Sequence, residues 1–185
     1  ASTDGTLVAS GDTYGDGTIT VWETANWQAR LDLPRQKEPI EALRFSPDNR
    51  LLYVADEVGR IAVIDLSKSR EIRSIRGKRR LFRYGSARSV FSADGGLVAL
   101  YWSPGKEDMR TLTVEIYSTL TKKRVGRVRV AEALAITMMC FTPDAKHLVL
   151  GAYNRDVIAY DVVSGQPRFT LDGRDYTRKK LMQFS

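Results

Sequence analysis

Apolar positions along this chain fall in short runs, many alternating with polar ones, and each run stops at a cluster of Gly, Asp, Asn, Ser or Pro. Period-two alternation bordered by turn residues predicts β-strands, and no stretch carries a helical period. A longer repeat lies over the short one. A strand ending in Phe-Ser or Phe-Thr, a tight turn carrying Asp and a second apolar strand appear at Leu43–Ala55, Ser89–Leu100 and Met139–Leu150. The phenylalanines stand at 45, 91, 141 and 184, in steps of 46, 50 and 43 residues. A fixed period of this size predicts a propeller or a similar array of supersecondary units.

The units can be read in order. The first, about residues 1–35, opens on Ser2-Thr3-Asp4, the turn of the repeat, with Ala1 where a phenylalanine belongs; its strands are Leu7–Gly11, Thr18–Glu23 and Ala29–Leu33. The second, 36–77, predicts four strands at Ile40–Phe45, Leu51–Ala55, Arg60–Leu66 and Glu71–Ile75. The third, 86–131, uses Ser86–Phe91, Leu97–Trp102, Thr111–Ser118 and Arg124–Val130, with an enlarged turn at Ser103–Arg110 that lengthens its step. The fourth, 135–173, uses Ile136–Phe141, His147–Ala152, Asp156–Val162 and Arg168–Leu171. Residues 177–185 end in Leu181-Met182-Gln183-Phe184-Ser185, the pattern of a first strand. Four short antiparallel strands in about 35 residues make one propeller blade.

Composition narrows the class. At 185 residues and 43% apolar content the chain can bury a core. It contains no apolar run long enough for a membrane-spanning helix, and no leader pattern at its start, so a soluble protein is expected, with a cytoplasmic location favoured over others. A single cysteine excludes an internal disulfide framework.

The net charge of +7 favours acidic partners. It concentrates in the links between units. Arg76, Lys78, Arg79, Arg80 and Arg83 crowd one link, with Phe82 and Tyr84 among them, and Arg174, Arg178, Lys179 and Lys180 crowd another. In a propeller every link from an outer strand to the next inner strand emerges on one face, so these residues are expected to share a surface for an acidic partner, protein or nucleic acid. A solvated rim that keeps the chain soluble is the plain alternative.

Catalytic and metal chemistry finds little material. His147 is the sole histidine and Cys140 the sole cysteine, and packing roles account for both. Asp4, Asp48, Asp94 and Asp144 hold the same place in successive units, which turn geometry explains four times over. Asp12, Gly15 and Asp16 lack the placements of a calcium loop, no pair of His or Cys stands at ligand spacing, and no phosphate-cradling glycines precede a helix. No metal and no cofactor is expected, haem included.

The repeat resembles the WD-repeat family of β-propellers. The residues that carry it are Phe-Ser-x-Asp at the inner turns, Asp16–Glu23 with Val21-Trp22 in the first unit, and Val63-Ile64-Asp65, Glu115-Ile116-Tyr117-Ser118 and Ile158-Ala159-Tyr160-Asp161 at equivalent positions. The family's Gly-His pair is missing, which marks a divergent member. The blades also look like those of bacterial propellers reading Tyr-Val and Val-Ile-Asp. The resemblance implies an all-β propeller with about four blades here, part of a larger ring of seven; the competing arrangement is a closed four-bladed ring in which Leu181–Ser185 completes the first unit. It further implies a non-catalytic platform for protein partners, a scaffold subunit in a larger assembly. The alternatives are a subunit associated with nucleic acid and a propeller domain of an enzyme whose active site is not visible.

Overall fold

The computed structural model of the chain describes residues 1–12, 17–33, 35–76, 87–102, 111–131, 135–152 and 156–171. Among them are fifteen strands and no helix, close to the boundaries read from alternation. β1 (Leu7–Gly11), β2 (Ile19–Glu23) and β3 (Ala29–Leu33) form a three-stranded sheet. β4 (Ile40–Phe45), β5 (Leu51–Asp56), β6 (Arg60–Asp65) and β7 (Arg70–Arg76) form the second, with four strands in chain order. The third contains β8 (Ala87–Phe91), β9 (Leu97–Trp102), β10 (Thr111–Ser118) and β11 (Arg124–Ala131). The fourth contains β12 (Ile136–Phe141), β13 (His147–Ala152), β14 (Val157–Asp161) and β15 (Pro167–Leu171). Every neighbouring pair in these up-and-down sheets is antiparallel.

The Asp of each repeat shapes the turn before one strand of every sheet. Ser46 Oγ donates to Asp48 Oδ1 at 2.6 Å and accepts the amide of Leu51 at 2.9 Å. The same pair of bonds recurs at Ser2, Ser92 and Thr142 with Asp4, Asp94 and Asp144. The residue after the Asp adopts positive φ, which Gly5 and Gly95 meet without strain, Asn49 meets readily and Ala145 holds in the fourth turn. Because the Ser2–Asp4 turn precedes β1 as Ser46–Asp48 precedes β5, the strands of the first sheet correspond to the second, third and fourth strands of the others. Pro167 begins an outermost strand, where a missing amide hydrogen is tolerated.

Successive sheets stack face to face, with contacts running from β1 to β4, β4 to β8 and β8 to β12. Side-chain alternation divides each sheet between two neighbours. In the second sheet Leu52, Val54, Ala62 and Ile64 pack towards the first, while Ala55, Ile61 and Ile75 pack towards the third. In the third, Val98, Leu100 and Tyr117 turn back to the second, and Ala99, Tyr101, Leu112, Val114 and Ile116 face the fourth. Four-stranded sheets stacked in series through their faces are propeller blades.

Candidate interaction surfaces

All the strands of this architecture begin and end at one of two rims. At one rim stand the Asp-bearing turns and the outer hairpin turns, and the two are tied together in every sheet. The amides of Thr24, Leu66, Thr119 and Val162 donate to the carbonyls of Thr6, Arg50, Gly96 and Lys146, each at 3.0 Å. Adjacent sheets are tied as well: Thr3 Oγ1 donates to the Pro47 carbonyl at 2.8 Å, and Arg44 Nη2 to the Ala93 carbonyl at 2.6 Å. The opposite rim carries the Asp56–Gly59 turn and the ends of the outermost strands.

Of the residues expected to form a basic surface, the structure describes only the backbone of one. Arg76 closes β7 in register with Arg60. Its side chain and the whole of Lys78, Arg79, Arg80, Phe82, Arg83, Tyr84, Arg174, Arg178, Lys179 and Lys180 lie outside the described residues.

The residues weighed for chemistry occupy structural places. Cys140 lies on β12 opposite Val149, and burial pushes its thiol pKa up, away from the thiolate a nucleophile needs. His147 lies on β13 with its ring edge against Phe169, centroids 5.8 Å apart. The repeated aspartates are spent on their turns. The Thr6 amide and the Ser2 and Thr6 hydroxyls hold the Asp4 carboxyl at about 2, and bonds led by Ser46, Ser92 and Thr142 hold Asp48, Asp94 and Asp144 below the usual carboxylate range. Among the described residues no group of three His, Cys, Asp or Glu is disposed to hold a metal ion. No helix among them is long and apolar enough to cross a membrane.

Alternation did not single out the most developed polar cluster, which lies between the outer strands of the second and third sheets. Glu115 of β10 is 5% exposed, faces the second sheet and sits in register with Arg127 of β11. Tyr117 Oη donates to its Oε2 at 2.6 Å; Arg127 Nη2 and Arg124 Nη1 donate to Oε1 at 2.8 and 3.1 Å. Burial alone raises a carboxyl pKa, but here the three hydrogen bonds and the positive charge of Arg127 outweigh it and hold Glu115 below its ordinary value. Across the cleft Arg73 of β7 extends Nη1 to the Leu120 carbonyl at 3.1 Å, joining the two sheets at their outer margin. One signal in the sequence points to this cluster: the third strand of the third unit carries a glutamate where the second and fourth carry Ala62 and Ile158, and its partner strand carries three arginines.

Comparison with known proteins bears on the class. The WD domain, G-beta repeat family matches residues 1–23. Among solved structures, hydrazine synthase of Kuenenia stuttgartiensis is similar in fold, with a TM-score of 0.66 at 18% identity, over 86% of this chain and 43% of that one. This chain thus spans less than half of that solved chain. In all, 1105 solved chains match, so the likeness defines a widespread architecture and no particular activity. No curated protein matches the chain. The fold is that of a β-propeller, and the match to the WD-repeat family lies within its first sheet; the stacked sheets that follow repeat the same Ser/Thr-x-Asp turn.

Proposed function

We propose that the chain is a non-catalytic docking platform within a larger assembly, and that its basic links, Arg76–Tyr84 and Arg174–Lys180, present one cationic surface to an acidic protein. The observation that carries this reading is topological. β7 and β15 hold the same outermost place in their sheets, so the chain leaves both strands at the same rim, two blades apart. On this reading the nine cations of those two links share one side of the frame.

A pull-down with the wild-type chain and with R79E/R80E/K179E/K180E tests the reading. Partners recovered by the wild type are expected to disappear from the variant; an unchanged set of partners rules the reading out. A salt titration separates a protein partner from nucleic acid, whose affinity falls steeply and linearly on logarithmic axes as phosphate counterions are released.

A further inference from the structure

The polar cleft between the outer strands of the second and third sheets holds more positive charge than its own groups neutralise. Ile61 and Ile75 of the second sheet pack with Tyr117 of the third across it. Alternation puts Arg73, two residues before Ile75 and in register with Val63, on the same wall as those isoleucines. On the other wall Arg124, Arg127 and Arg129 stand in register with Tyr117, Glu115 and Thr113. Four guanidinium groups thus share the cleft with one carboxylate, Glu115. Asp65 ends the same face of β6, but the Ser67 hydroxyl and Lys68 engage it at 2.6 and 3.3 Å, and Glu71 pairs with Arg60. Among the described residues neither Arg73 nor Arg129 has an ion pair.

Unused donors remain on both walls. Arg73 commits Nη1 to the Leu120 carbonyl, Arg124 commits Nη1 and Arg127 commits Nη2 to Glu115, and Arg127 Nε is buried with no hydrogen-bond partner. Solvent still reaches the site, since the Arg124 and Arg127 side chains are 41% and 30% exposed. The Val162–Gly165 turn closes β11 on its other side, against the Gly126 and Arg127 backbone, and does not cover these side chains.

We infer that this cleft binds a phosphoryl dianion, as inorganic phosphate or as the phosphate of a phosphorylated side chain. The inference goes beyond the docking role proposed above and uses other residues. Three features select the ligand. A phosphoryl group offers several oxygens and close to two negative charges at neutral pH, so it can accept from both walls at once, whereas one guanidinium fork satisfies a carboxylate. The cations are arginines, whose planar forks suit phosphate oxygens. Glu115 already holds Arg124 and Arg127 in place, so little side-chain freedom is left to lose when the ligand arrives.

Fluorescence anisotropy of the full chain with a labelled Gly/Ala peptide carrying a single phosphoserine tests the inference, with its unphosphorylated twin as control. Saturable binding of the phosphopeptide alone is expected, weakened about tenfold in R73Q/R124Q, which removes two of the four cations. R79E/R80E/K179E/K180E is expected to bind as the wild type does. R73Q/R124Q keeps Arg127 on Glu115, so its thermal melt should stay close to that of the wild type; R124Q alone, a milder change at an exposed side chain, should weaken binding in the same direction. Inorganic phosphate should displace the peptide. Displacement at equal concentration makes the free anion the ligand, and a requirement for large excess makes it the phosphorylated side chain. Absence of saturable binding, equal affinity in R73Q/R124Q and R124Q, or equal binding of the unphosphorylated twin overturns the site. Displacement as effective by acetate at the same ionic strength, or by oligothymidylate at equal concentration, overturns the choice of a dianion. Loss of binding only in R79E/R80E/K179E/K180E overturns this inference while supporting the basic-link reading, so the two can fail separately.

Discussion

The interface between the third and fourth sheets and the interface between the second and third use the same strands in the same order, yet they are built from different materials. Thirteen buried residues close the first, from Ala99 and Leu112 on one side to Leu148, Leu150 and Tyr160 on the other. Its outer end is sealed by backbone: a Cβ on Gly126 would overlap the Val162 carbonyl, and one on Gly165 would overlap that of Arg127. The second interface has only six buried residues in its cluster, among them Ile61, Leu100 and Tyr117, and its outer part is given over to Glu115 and the arginines around it. At its inner end Tyr53 stacks on Phe91 with ring centroids 5.8 Å apart. The difference teaches where a repeat frame tolerates variation: the inner strands keep a common apolar code, and the outer strands are free to exchange packing for charge.

The largest effect is expected in the apolar interface. Leu148 is fully buried there, and Leu148→Ala should cost about 3 kcal/mol, as transfer and cavity terms add; denaturant titration measures it, and a loss well below 1 kcal/mol would mean that the sheets do not pack through this face. In the polar interface Glu115→Ala leaves two arginines and a buried phenol without their acceptor. The arginines are partly exposed, so the cost is reduced to about 2 kcal/mol. This interface should also carry the acid sensitivity. Glu115 has a lowered pKa in the folded chain, so its contribution is complete above the ordinary value of 4.5 and disappears as pH falls through the folded pKa. Glu115→Gln should therefore lose less stability than the wild type between pH 5 and 3, a range taken from that shift, after subtraction of the loss from the turn aspartates that both proteins share. Parallel pH profiles for the two would remove Glu115 from the account. The smallest effect lies outside both interfaces. Trp27 holds a φ of 56° in an outer turn where Ser69, Lys122 and Gly165 hold the corresponding places, and it is 67% exposed. Trp27→Gly should raise stability by up to about 1 kcal/mol by relieving the left-handed strain, and no change in melting temperature would show that the strain is already compensated.

The frame was legible because its markers are local. Phe45, Phe91 and Phe141 repeat with a Ser or Thr and an Asp at fixed distance, and the hydroxyl, carboxylate and amide of one short turn suffice to make that pattern visible without knowing what lies opposite. Alternation then placed the strands to within a residue or two. Glu115 was not legible in the same way. Within Thr111–Ser118 a single charged residue reads as an outward position, and its burial depends on Arg124 and Arg127 across a hairpin whose register includes a bulge at Ile116 and Tyr117. The basic links had a clear compositional signal in Arg79, Arg80, Lys179 and Lys180, but composition carries no coordinates, and those residues lie outside the described part of the chain.

The outer hairpin turns give the stack a direction. The Leu120 turn rests on Arg73 of the sheet before it, and the Val162–Gly165 turn rests on Gly126 and Arg127 of the sheet before that turn's own, so in both cases the later unit leans on the earlier. Tension applied from the two ends would therefore not be shared equally. Peeling away the fourth sheet strips cover from the backbone of the third, whereas peeling away the second leaves the Gly126 seam untouched, and the chain should yield at different forces according to which end is drawn first.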